Sequence, residues 1–116
     1  MQDLIGKGAA WFRSVARDHL SVLVQYRAVG SLVPREIPAM ITTTRHESLD
    51  NAGQLVRIES RDFFINTDDY SRVPAKGDRI YAEGKVYEVF SPFGGNSWVW
   101  ADRQQKIRKV HTQLVP

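Results

Sequence analysis

Two periodicities divide the chain. Near the start, Leu4, Ile5, Gly8, Phe12, Val15, Ala16 and His19 recur at spacings of three and four, the helical period, with Ala9 and Trp11 widening the apolar side. Asp3 is placed to cap a helix over residues 3–19, and Gly6 and Gly8 each weaken it by roughly 1 kcal/mol relative to Ala. From Ser21 the period drops to two. Extended runs are expected at Ser21–Arg27, Leu32–Val33, Ala39–Arg45, Leu55–Glu59, Arg61–Asn66, Arg79–Glu83, Lys85–Phe90, Trp98–Trp100 and Ile107–Leu114. Pro34 and Pro38 mark a sheet edge or a bend, because proline cannot donate to a ladder. Gly30–Ser31, Lys76-Gly-Asp78, Gly84 and the stretch Pro92–Ser97 read as turns. The polar stretch His46–Gln54 reads as a long mobile loop.

About six to eight short antiparallel strands with frequent turns describe a small β-barrel or sandwich, mainly β, with an N-terminal α-helix. The 116 residues suit one domain: a helical segment over 1–20, then a barrel over 21–116 carrying the loop 46–54. Composition agrees, with 42% hydrophobic and 25% charged residues. The absence of Cys excludes a disulfide framework and a thiolate metal site. No run approaches the roughly 18 apolar residues that cross a bilayer, and the start lacks the pattern of a secretory signal, so no membrane partner is expected.

Charge adds polarity to this picture. The net +3 divides into +3 over residues 1–46, −4 over 47–102 and +4 over 103–116. Such a distribution suits a subunit whose faces meet unlike partners, although an ordinary solvated surface produces it too. Arg103, Lys106, Arg108 and Lys109 place four cations within seven residues. On a strand, Lys106 and Arg108 would share one face, and Arg103 and Lys109 the other. They suit phosphate contact, or simply blunt an edge strand. Trp98 and Trp100 should point to one face, into the core or into an interface.

Catalytic patterns are missing. His19, His46 and His111 lie far apart without metal-ligand spacing, so no metal and no cofactor is expected. Adjacent Asp68 and Asp69 would point to opposite faces of a strand and could not share a proton; a turn role suits them better. No Gly-x-Ser-x-Gly elbow occurs, and Gly6-Lys-Gly8 lacks the rest of a phosphate loop. A hydrolase built on Asp68, Asp69 and His111 has little to support it, and the chain reads as a non-enzyme.

The ordered series Gly53–Glu59, Phe63–Asp68, Val73–Ile80, Val86–Val89, Ser91-Pro-Phe-Gly-Gly95 and Trp98-Val-Trp100 resembles the head–tail joining proteins of lambda-like tailed phages, over roughly residues 39–102. The resemblance implies a non-enzymatic head-closure or connector subunit in the virion neck, assembled in the host cytoplasm. Its implied partners are itself as a ring, a portal protein or upper adaptor, a tail terminator or tail tube protein, and genomic DNA passing through the lumen. It further implies an N-terminal segment and a long loop that order on assembly. His46, Glu47, Leu49, Asp50 and Asn51 match that loop, and Leu4, Trp11, Phe12 and Val15 are the N-terminal interface candidates. Arg103, Lys106, Arg108 and Lys109 are the DNA-facing candidates. Residues 3–19 and the last fourteen depart from the lambda-type pattern. Two other readings are a tail-completion or terminator ring, and a stand-alone nucleic-acid-binding barrel using Tyr81, Tyr87 or Trp98. The second is weakened because no aromatic lies between Arg103 and Pro116.

Overall fold

A computed structural model of the chain describes residues 21–116. The helix expected over residues 3–19, with Leu4, Trp11, Phe12 and Val15, lies outside the described residues. Seven strands follow: β1 Val22–Arg27, β2 Arg35–Leu49, β3 Leu55–Asn66, β4 Arg79–Ala82, β5 Lys85–Val89, β6 Trp98–Trp100 and β7 Ile107–Leu114. They lie in the order β3-β2-β1-β4-β5-β7-β6, and a further β3–β7 pairing closes six of them into an antiparallel barrel. β6 is added outside this circuit, on β7.

Alternation explains the inside. Val24 and Tyr26 on β1, Ile37 and Ala39 on β2, Phe63 and Ile65 on β3, Ile80 and Ala82 on β4, Tyr87 and Val89 on β5, and Val110 on β7 are buried together. Each pair is spaced by two, so one face of every strand turns inward. The Phe63 and Tyr87 rings meet edge to face at 5.4 Å, an arrangement that matches ring edge to ring face. The β4–β5 turn uses Glu83 and Gly84 at φ 53° and 76°. Two successive left-handed residues are what a tight hairpin requires, and glycine adopts the second at no steric cost.

Three expectations need correction. The segment expected as a long loop is largely strand: β2 continues through Leu49, β3 starts at Leu55, and only residues 50–54 form the turn. Cross-strand charge pairs replaced the apolar alternation there. Arg57 reaches Glu47 at 3.0 Å and Arg45 reaches Glu59 at 4.0 Å, each pair directly opposite in register. Leu55–Glu59 and Arg61–Asn66 are one continuous strand. β2 begins at Arg35, after a bend at Leu32–Val33, and not at Ala39, so Pro38 lies inside it, opposite Leu23, where β3 has not yet joined, since that register starts at Met40. The position is therefore an edge on that side, where proline is tolerated.

β1 accompanies β2 only as far as Ala39, and β7 accompanies β3 only from Arg61. The segment 45–59 therefore leaves the barrel as a two-stranded arm. A lone hairpin is marginal in water, so its root must be held.

Candidate functional sites: the arm root, the tryptophan box and a basic groove

The arm root is held by a carboxylate. Asp62 on β3 is fully buried, with 0% exposure. Its Oδ1 accepts from Ser60 Oγ at 2.6 Å and from His111 Nδ1 at 2.9 Å, and its Oδ2 accepts from Thr44 Oγ1. Lys109 Nζ lies 3.7 Å from Oδ2. Because Ser60 gives its single hydrogen to Asp62, His46 Nε2 donates to Ser60 Oγ at 2.8 Å. The His46 and His111 rings meet edge to face at 5.1 Å. One carboxylate thus ties Thr44 and, through Ser60, the arm residue His46 to the barrel strand β7. Burial by itself raises the Asp62 carboxyl, but the hydrogen bonds from His111, Ser60 and Thr44 outweigh it and hold the group below the ordinary range. Burial, then neighbouring His111, pushes His46 below the usual histidine value.

Two histidines that sequence separated are therefore neighbours. His111 takes Asp62 as its partner, whereas Asp68 and Asp69 lie in the turn after β3. No group of three or more His, Asp or Glu is placed to hold a metal ion among the described residues.

The C-terminal cations do not form one strip. β7 begins only at Ile107, so strand alternation never reaches Arg103 or Lys106, which lie exposed in the β6–β7 turn. The buried Asp102 carboxylate accepts the Lys106 and Ile107 amides there. Nor is β7 an edge, since it pairs with β3, β5 and β6. Arg108 shares the inward face of Val110, and its guanidinium carbon lies 4.9 Å from the Trp98 ring and 5.0 Å from the Trp100 ring. Nη1 donates to the Ser71 and Arg72 carbonyls at 3.4 and 3.2 Å. Burial lowers the Arg108 guanidinium, and Tyr26 opposes that. Arg108 is a plug, not a free phosphate contact, and Lys109 is occupied with Asp62. Trp98 and Trp100 do share a face: both are half-buried, and Trp98 packs against the core. Arg108→Ala is expected to destabilise the fold by about 1–3 kcal/mol, through lost cation–π and hydrogen-bond contacts. Chemical denaturation followed by tryptophan fluorescence reads it; an unchanged midpoint would contradict the plug.

A third feature joins segments far apart in sequence. The Asp78 carboxylate, 2% exposed, accepts from Tyr26 Oη at 2.6 Å, from the Val29 amide at 2.8 Å and from the Ala75 amide at 2.9 Å. Burial, reinforced by Asp78, pushes the Tyr26 hydroxyl well above the ordinary tyrosine range. The carboxylate pins the 28–31 turn to the 75–78 turn. Gly77, at φ +92°, permits the approach: a Cβ there would stand 3.0 Å from Val29 Cγ2. Gly77→Ala should cost about 1–2 kcal/mol from the left-handed backbone alone, read as a lowered thermal midpoint. Between the two turns runs a groove that includes Arg27, Val29, Leu32, Lys76, Arg79 and Glu88. Arg27 and Arg79 stand directly opposite each other on β1 and β4.

Ser60 Oγ lies beside His46 Nε2, but it is buried and gives its hydrogen to the Asp62 carboxylate. These groupings support an arm, brace a barrel end and shape a groove. No curated protein matches the chain. Residues 2–116, nearly its whole length, match a family model described as phage head-tail joining protein. The likeness first visible over residues 39–102 thus extends to both ends, and the chain belongs to the phage head–tail joining protein family.

Proposed function

We propose that the protein is a structural subunit of the phage neck, a connector ring that joins the portal or an upper adaptor to the tail terminator or tail tube and closes the DNA-filled head. Membership of a head–tail joining family makes it a virion component associated with head and tail parts. The chain-long family match carries this reading. The arm supports it: a hairpin projecting from a closed barrel has little to pack on among the described residues and is suited to a neighbour. Exposed Leu49, Leu55 and Val56 at 68%, 50% and 37% give that contact apolar area. Of the four C-terminal cations, Arg103 and Lys106 remain candidates to face DNA, through sequence-independent and salt-sensitive contact.

Particles assembled without this protein should yield filled heads and separate tails that do not join, and adding the purified protein should restore joining. A reconstruction of the complete particle should place copies of the barrel in the neck, around the DNA channel. Finding it at the distal end of the tail, or finding that heads and tails join in its absence, would overturn the reading.

A further inference from the structure

The arm tip and the basic groove are complementary, and they lie at opposite ends of the same strand. β2 begins at Arg35, beside the Arg27 end of β1 and the 28–34 connection, and ends at Leu49 in the arm. At about 3.4 Å per residue, this strand of 15 residues has a contour of roughly 50 Å. The tip and the groove thus lie at opposite ends of one continuous strand, and no hydrogen bond or ion pair joins them among the described residues.

The groove is cationic with an apolar rim. Arg27, Lys76 and Arg79 outnumber Glu88, and the Asp78 carboxylate is turned inward onto Tyr26 and two amides. Like charges opposite each other across strands are unfavourable, yet Arg27 and Arg79 are paired so, and neither they nor Lys76 forms an ion pair with a described residue. Val29 and Leu32 beside them are 56% and 93% exposed. The arm tip has the opposite character. Leu49 and Leu55 flank a turn, residues 50–54, that contains Asp50 and no cation. Asp50 Oδ1 accepts the Ala52 and Gln54 amides at 2.9 and 2.8 Å, so the turn is stiffened from within. Both surfaces are shaped before they meet, which lowers the ordering cost of contact.

We propose that the groove is the receptor for the arm of a second copy of this chain: Asp50 faces Arg27, Lys76 and Arg79, while Leu49 and Leu55 pack on Val29 and Leu32. The contact rests on the ring reading above and gives it a joint. Arm into groove is heterologous, so each copy both gives and receives, and the chain of contacts closes when the rotation between copies suits.

The protein has no native Cys, which makes the test direct. A variant carrying both Ala52→Cys and Ser31→Cys should give a ladder of cross-linked copies with a short bismaleimide in assembled necks, while either single variant gives none beyond the adventitious level. Necks that contain the protein and yield no ladder overturn the joint and leave the ring standing. Necks that lack it overturn both. Charge exchange is the second arm. Asn51→Lys with Gln54→Lys, which leaves the Asp50 turn bonds intact, should abolish head–tail joining, as should Lys76→Glu with Arg79→Glu. A chain carrying all four changes should join again, and failure to do so counts against the contact. Should Lys76→Glu with Arg79→Glu weaken binding of duplex DNA while joining and the ladder persist, the groove takes phosphate instead and the proposal falls.

Discussion

Asp62→Ala is expected to destabilise the protein by about 3–5 kcal/mol, the usual cost of removing one partner from a buried charged network. The substitution leaves the Ser60, Thr44 and His111 donors without their acceptor and Lys109 without its counter-charge. For a domain of this size the thermal midpoint should fall by about 10–25 °C. Asp62→Asn, which keeps one acceptor oxygen, should cost less. The loss should also have a direction in space. Hydrogen exchange at the amides of segment 45–59 should rise more than at the β4–β5 hairpin, because Asp62 ties the arm to β7. A uniform rise, or a midpoint within about 2 °C of the parent, would refute the role of this carboxylate.

The same site sets an acid limb. Asp62 has a folded value below the ordinary carboxylate value of about 4. The unfolded chain therefore takes up that proton first as pH falls. Its contribution is full above about pH 4 and is lost as pH drops through the lowered folded value. His46 works in the same sense at higher pH. Its folded value lies below the usual value of about 6.5, so its contribution is present above that pH and fades below it. Stability should fall on acidification in two stages. His46→Gln should flatten the stage below about pH 6.5, and Asp62→Ala the stage below about pH 4.

The second large effect is expected at the other end of the barrel. Asp78→Ala removes the acceptor of the Tyr26 hydroxyl and of the Val29 and Ala75 amides. Stranded buried donors cost about 1–3 kcal/mol each, and the two amides are partly open to water, so a total near 3 kcal/mol is expected. Tyr26→Phe removes one donor and leaves the carboxylate two amide partners, so it should cost only about 1 kcal/mol. Combining the two should cost less than their sum, because both act on one bond. Urea unfolding of the four proteins measures the cycle; strict additivity would mean that the short Tyr26–Asp78 bond contributes nothing. Asp78→Ala should also release the 28–31 and 75–78 turns and weaken any contact made through the groove.

Barrel strands with one apolar face were legible along the chain. Ile80 and Ala82, which alternate with charged neighbours, are buried together, and the last strand runs over Ile107–Leu114 as expected. The arm was not legible, because its strands face each other with charged side chains, Arg57 opposite Glu47 and Arg45 opposite Glu59, and no single-strand pattern contains such pairs. Arg108 was grouped with the DNA-facing cations on charge alone; it lies two residues from Val110, so the alternation that buries the valine buries it too.

Local chemistry and period two were sufficient to specify a small β domain without Cys and its turns at Gly30, Gly77 and Gly84, since these depend on neighbours in sequence. The meeting of Asp62 with His46 and His111, and of Arg27 with Lys76 and Arg79, depended on strand order and register. Those are decided only when β3 closes onto β7 and β4 onto β1. Partners separated by about 50 residues carry no local signal of each other, so the arm root and the groove exist only in the closed barrel.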